Sequence, residues 1–311
     1  SNDLKSWHPL SRAATSTFDD GEETVRFAGI STDPVFNGSA LGYVRLRIDL
    51  DADQNGTAEA TSRTPAQAFA LRTFGAAQST LSMPLLRLPV YSGQITGVLG
   101  SGVEISQGVG FVDALAAGSA FFVEITSGEH AGERFEVDAA ASTDVTLSLK
   151  TAQTLPESLL GAQLVVRPHW TLGSLLPPAR FHATTSPLTA DRVLFYENGN
   201  YSVHWLVNAK AGAKWVRSGD SKLADAGETR VIRADEGLLV QCRGVEALVP
   251  LVGEVRTLAW VESLSAGSHL VGSGLPYAVS PDARSLTAAS GLVTGDRLLL
   301  WSGDQTPGSN A

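Results

Sequence analysis

The chain has 311 residues, 43% of them apolar and 18% charged, enough to bury a large core; this excludes a disordered chain and suits two domains or one large β assembly. Its 31 Gly and 14 Pro, set among many Ser, Thr and Ala, favour short strands and turns over long helices. A net charge of -9 argues against a nucleic-acid partner, and the single cysteine, Cys242, excludes an internal disulfide framework and a cysteine zinc cluster.

Residues 1–30 are polar and irregular, with Trp7 and Phe18 as isolated anchors, and read as an extended N-terminal arm. Tyr43 to Asp49 then alternates, with Val44, Leu46 and Ile48 on one side and Arg45, Arg47 and Asp49 on the other. That period of two predicts a half-buried strand. The next segment, Asp51-Ala52-Asp53-Gln54-Asn55-Gly56, matches the first half of a calcium loop. Asp49, Asp51, Asp53, Asn55 and Glu59 are its candidate ligands, since calcium takes several carboxylate and carbonyl oxygens at about 2.3–2.6 Å. The twelfth loop position is Ser62 rather than a bidentate Glu, so an acidic, solvated turn shaped by Asn55-Gly56 stays open as the alternative. Thr64 to Phe74, with Thr64 as cap and Pro65 at the first position, predicts a helix.

From Leu81 to Arg167 short apolar runs alternate with glycine turns. Gln94 to Val98 and Val103 to Ile105 flank Leu99-Gly100-Ser101-Gly102, and Phe121 to Thr126 and Arg134 to Asp138 flank a second turn. Val145, Leu147 and Leu149 alternate, and Leu164 to Arg167 closes the group. Strands at intervals of about ten residues predict a small barrel or sandwich. Pro177-Pro178 is expected to mark a boundary, giving domains at 31–178, with an inserted barrel-like strand set, and at 179–311. The second set of strands is Arg192 to Glu197, Tyr201 to Val207, Trp215 to Arg217, Thr229 to Arg233, Leu238 to Cys242, Leu248 to Val255 and Arg297 to Trp301. Asp191 to Gly199 echoes Gly295 to Gly303 in residue type, and the second copy reads as an incomplete repeat. The fold class expected is all-β. No run reaches the roughly 18 apolar residues of a spanning helix, so no membrane span is expected.

The six histidines are far apart in sequence and form no HExxH, and GxSxG, SxxK, GxxxxGK[ST] and GxGxxG are missing. No catalytic or cofactor-binding residue is assigned, although a triad assembled only in three dimensions stays open. Asp191, Glu197, Asp220, Asp235 and Glu236 are carboxylates that would flank a sugar in a glycosidase, with Trp residues to stack on it. Trp170, Trp205, Trp215, Trp260 and Trp301 fall mostly on alternating strands, where packing is the commoner use. Cys242 lies in an apolar strand and reads as an inert thiol.

Two stretches carry a family resemblance: Ser82-Met83-Pro84-Leu85-Leu86-Arg87-Leu88-Pro89-Val90-Tyr91-Ser92-Gly93 and Val166-Arg167-Pro168-His169-Trp170-Thr171-Leu172-Gly173-Ser174-Leu175. They resemble an uncharacterised family of secreted β-rich proteins found mainly in Verrucomicrobia and related bacteria. The resemblance implies export, with a signal peptide removed, and an extracellular or cell-surface place; it brings no activity with it. The expectation is therefore a non-enzymatic structural protein, a subunit of a filament or surface assembly joined to its own kind by strand addition. A carbohydrate-binding surface module is the alternative, with a secreted hydrolase behind it.

Overall fold

The structure is a computed structural model. It describes residues 66–256 except 76–77, 84, 107, 109, 117–119, 198 and 235, the backbone of 17–19, 22–24, 41–44, 47–50 and 60–63, and residues 267–271. The fold is all-β, with only two short α-helices among the described residues. No helix there is long and apolar enough to cross a membrane. The chain forms two compact units, Ser1–Arg72 with Pro250–Val255, and Thr73–Val249 with Arg256–Ala311.

In the first unit β1 (Thr17–Asp19) pairs with β2 (Glu22–Thr24), β3 (Leu41–Val44) with β6 (Gln67–Phe74), and β4 (Arg47–Leu50) with β5 (Ala60–Arg63), all antiparallel. Where one strand was expected over Tyr43 to Asp49, β3 and β4 therefore stand as separate strands with different partners. The helix expected over Thr64 to Phe74 is β6 instead. Ala66, Ala68, Ala70 and Phe74 are buried while Gln67, Leu71 and Thr73 between them are less so, a period of two, interrupted at the exposed Arg72, rather than 3.6. Ladder bonds to β3, with Ala70 opposite Leu41 and Gln67 opposite Val44, outweigh the helical preference of this Ala-rich stretch. The Val255 N–H also donates to the Ala66 carbonyl at 2.8 Å.

The second unit continues with β7 (Gln78–Ser82), β8 (Leu85–Leu86), β9 (Tyr91–Leu99), β10 (Gly102–Ile105), α1 (Phe111–Ala116), β11 (Phe121–Ile125), β12 (Arg134–Glu136), β13 (Thr146–Ser148) and β14 (Gln163–Pro168). Six of these strands form one sheet in the order β12-β11-β14-β9-β10-β13. The expected hairpin is present: Leu99 faces Gly102 across the loop Gly100-Ser101, and Gly100 takes φ 58°, a left-handed conformation that costs glycine little. The sheet closes on itself. Val137, just past β12, bridges Leu149, just past β13, and the Lys150 and Asp138 N–H groups donate to the Glu136 and Ser148 carbonyls at 2.8 and 2.9 Å. The result is a six-stranded antiparallel barrel. Ile95, Val103, Val123, Leu147, Leu164 and Val166 fill it, each at most 1% exposed, and α1 adds Phe111 and Leu115. Each such side chain contributes about 1.5–3 kcal/mol by leaving water. Val145, expected to join Leu147 and Leu149, is 52% exposed because it sits in the turn before β13, where the Thr143 hydroxyl accepts its N–H at 3.3 Å.

Beyond the barrel come β15 (Trp170–Thr171), α2 (Leu172–Leu175), β16 (Arg192–Glu197), β17 (Asn200–Ala209), β18 (Gly212–Arg217), β19 (Val231–Ile232), β20 (Gly237–Gln241) and β21 (Ala247–Val255). The Pro177-Pro178 segment carries a single 3₁₀ turn, Pro178–Arg180, within the second unit. Thr171 caps α2, its hydroxyl accepting from the Ser174 N–H while Ser174 answers to the Thr171 N–H. Gly173 lies so close to Gly227 that a Cβ would meet the Gly227 backbone at 3.2–3.3 Å. An open sheet follows the order β18-β17-β16-β20-β7, antiparallel throughout. Val193, Phe195, Leu206, Trp215, Leu238 and Val240 are buried on one of its faces, and Trp205, Val207 and Val216 pack with Ala190 on the other. The Trp215 indole donates to the Leu176 carbonyl at 2.8 Å, which satisfies its one polar atom. Strand Arg297 to Trp301 and the second half of the internal echo lie outside the described residues.

Candidate functional site

The outer wall of the barrel at β11, β12 and β14 is where polar groups concentrate. Register places Phe122 opposite Glu136 and Arg167, and Glu124 opposite Arg134, so one alternation along three strands faces outward. Phe122 packs there with Leu86 and Ala234, and Glu124 and Arg167 are buried on the same wall. Glu124 Oε2 stands 3.6 Å from Arg167 Nε, both side chains at most 5% exposed. Arg167 also donates to the Arg87 carbonyl at 2.9 Å, Arg87 donates to the His169 carbonyl at 3.2 Å, and the Trp170 indole donates to the Leu85 carbonyl at 2.9 Å. The Arg87 guanidinium lies over the Trp170 ring at 5.8 Å. The stretches Leu85 to Gly93 and Leu164 to Trp170 thus meet side by side.

A concavity of about 170 Å³ opens beside this junction, lined by Phe122, Arg134, Phe135, Glu136, His169 and Arg233. His169 is buried, its ring 4.8 Å from that of Phe122 and its Nε2 3.1 Å from Glu136 Oε2. With Glu136 ionised, Nε2 carries the proton, and the buried Nδ1 has no hydrogen-bond partner. Burial alone would raise the Glu136 carboxyl, but the His169 hydrogen bond and the positive charges of His169, Arg233 and Lys150 outweigh it and hold the group below the usual range.

A second constellation sits elsewhere on the barrel. In the turn between β11 and β12, His130 Nδ1 lies 2.9 Å from Glu133 Oε1, and its Nε2 lies 2.7 Å from the hydroxyl of Ser158 in the 3₁₀ turn Glu157–Leu159. Both turns are fixed by backbone bonds: Ala131 to Gly128, Gly132 to Ile125 and Glu133 to His130 in one, Leu159 to Pro156 and Leu160 to Glu157 in the other. Leu159, fully buried, anchors the second turn in the barrel core. Nothing in the local sequence signals this group, because Ser158 reaches His130 only through the strand order of the barrel.

The carboxylates considered as a sugar-flanking set are held apart by other duties. Asp191 is fully buried; Oδ1 accepts the Arg243 and Gly244 N–H groups at 2.6 and 3.3 Å, and Oδ2 accepts that of His182 at 2.7 Å. Asp220 accepts from the Lys222 and Ala224 N–H groups, which hold its carboxyl below the usual range. Glu197 and Glu236 both pair with Arg230, whose guanidinium lies 3.8 Å from the centroid of the Phe195 ring. His204 meets the same ring edge-on at 5.3 Å; burial, then the charges of Arg230 and Arg217, push its imidazole down to about 4. Asp235 lies outside the described residues. Of the aromatics, Trp205 and Trp215 are buried and Trp170 is half-buried, while Tyr201, 50% exposed, pairs with Tyr196 at 5.1 Å near a hairpin tip.

Of the candidate calcium ligands, Asp49 stands in β4 opposite Thr61, and Asp51, Asp53, Asn55 and Glu59 lie outside the described residues. Among the described residues, His, Cys, Asp and Glu form no group of three that would hold a metal ion. The chain matches no protein-family model, no curated protein and no solved structure.

Proposed function

We propose that the chain is an exported structural subunit that joins copies of itself at the cell surface or in an extracellular filament, by adding strands across subunits. The supporting observation is the contrast between the two largest sheets among the described residues. The barrel closes and offers no edge, whereas the five-stranded sheet is open and ends in β7, to whose outer side no strand pairs among the described residues. An open edge presents unpaired N–H and C=O groups along its length, and a strand from a second copy satisfies them. Such a contact is head-to-tail and, where the rotation does not close, it grows a fibre. Thr80, exposed at the middle of β7, is the place to block it. Sedimentation velocity and negative-stain electron microscopy of the full chain test the reading. Concentration-dependent assemblies that weaken in Thr80→Lys and on deletion of residues 1–28 are expected; a strictly monomeric wild type, or assemblies indifferent to both changes, overturns it.

A further inference from the structure

We propose that Ser158 is an acylatable nucleophile, with His130 as its general base and Glu133 as the residue that positions the imidazole, and that its substrates are small esters. The argument begins with proton placement. An ionised Glu133 accepts only, so His130 Nδ1 at 2.9 Å must carry a proton. In the neutral imidazole Nε2 then holds the lone pair, and the Ser158 hydroxyl at 2.7 Å must point its proton at it. Serine, imidazole and carboxylate stand in the order that general-base activation of a hydroxyl requires, reached here on a barrel wall with no sequence motif.

Accessibility distinguishes this group from the other histidine contacts. His169 and His204 are buried, whereas Ser158 is exposed and the His130 and Glu133 side chains are 15% and 38% exposed. Rigid turns on both sides keep the distances without a bound ligand, which is what preorganisation demands. The open position also selects the substrate. An ester with a good leaving group depends less than an amide on a walled site that stabilises the oxyanion.

In the acylation step Ser158 Oγ bonds to the ester carbonyl carbon and its proton passes to His130 Nε2. The carbon–oxygen bond to the leaving group breaks, and that oxygen departs as an alcohol with the proton from His130. Water, deprotonated by the same imidazole, then attacks the acyl-serine, releasing a carboxylic acid and restoring the hydroxyl.

This inference does not rest on the assembly reading, and a labelling experiment separates them. The full-length protein is treated with a fluorophosphonate probe, the adduct is mapped by mass spectrometry, and hydrolysis of p-nitrophenyl acetate is followed in parallel. One phosphonyl group on Ser158 is expected, absent in Ser158→Ala and formed about 10²–10⁴-fold more slowly in His130→Gln, the range of a positioned general base. Glu133→Gln lowers kcat for the ester and leaves KM in place, as a positioning role requires. Thermal melts establish that each variant is folded. No adduct on Ser158 of the folded wild type overturns the proposal, and so does labelling at an unchanged rate in folded His130→Gln.

Discussion

Replacing Asp191 with Ala removes the carboxylate that ties three chain segments together. The side chain is fully buried and accepts N–H groups from His182, Arg243 and Gly244 at 2.7, 2.6 and 3.3 Å. Bonds to a charged acceptor are worth about 1.5–3 kcal/mol each, and donors left buried without a partner carry their own desolvation cost. The two short bonds dominate, and the third is stretched, so we expect a loss of about 3–5 kcal/mol for Asp191→Ala. At roughly 2–4 °C per kcal/mol for a unit of this size, Tm falls by about 6–20 °C. Asp191→Asn keeps one oxygen, enough for Arg243 and Gly244, and turns an NH₂ toward the His182 donor, so about half of the loss is expected. Differential scanning fluorimetry, with Trp fluorescence in denaturant as a check, measures both. The reasoning fails if Asp191→Ala lies within about 1 kcal/mol of wild type, or if the Asn variant is as damaged as the Ala variant.

Two further expectations concern ionisation. His204 is held at about 4 in the folded chain against an ordinary 6.5, so the unfolded chain takes up the proton first as pH falls. Its contribution is complete above about pH 6.5 and is lost progressively toward about pH 4, up to about 3 kcal/mol in all. His204→Gln should flatten that part of the pH–stability curve, and identical slopes in the two proteins would count against it. The Cys242 thiol is pushed up to about 11 by burial, with the negative charge of Asp191 adding to it. We therefore expect no reaction with Ellman's reagent at pH 8 in the native protein and full reaction in guanidinium; native labelling at the rate of a free thiol would contradict the placement.

The hairpin from Gln94 to Ile105 was legible because its turn residues are local: Gly100 and Gly102 sit where the loop must tighten. β6 was not, since an Ala-rich stretch says little about period until β3 lies beside it. Barrel closure escaped for a related reason: the bridge from Val137 to Leu149 depends on pairing that no single segment encodes. The polar wall was hidden differently. All five residues of β11 are buried, so Glu124 reads as a stray charge within an apolar run until Arg167 is placed 3.6 Å from it. His130 and Glu133 stand three residues apart in one turn, a spacing that carries no signal by itself, and Ser158, 28 residues away from His130, is joined to them only by the fold.

The barrel's entrance and exit are neighbours. Tyr91 at the start of β9 faces Val166 near the end of β14, and the Val90 N–H donates to the Val166 carbonyl at 2.8 Å. To the rest of its unit, some 75 residues therefore present themselves as the two stems of a hairpin, whatever is mounted between them. Excision at those stems leaves one short gap to close, and it also strips Leu86 and Ala234 of Phe122 and His169 of Glu136. The barrel is in this sense a cartridge with one fitted wall: the turns that carry His130 and Ser158 are able to change while β11 and β14 keep the face that seats Leu86, Arg87 and Ala234.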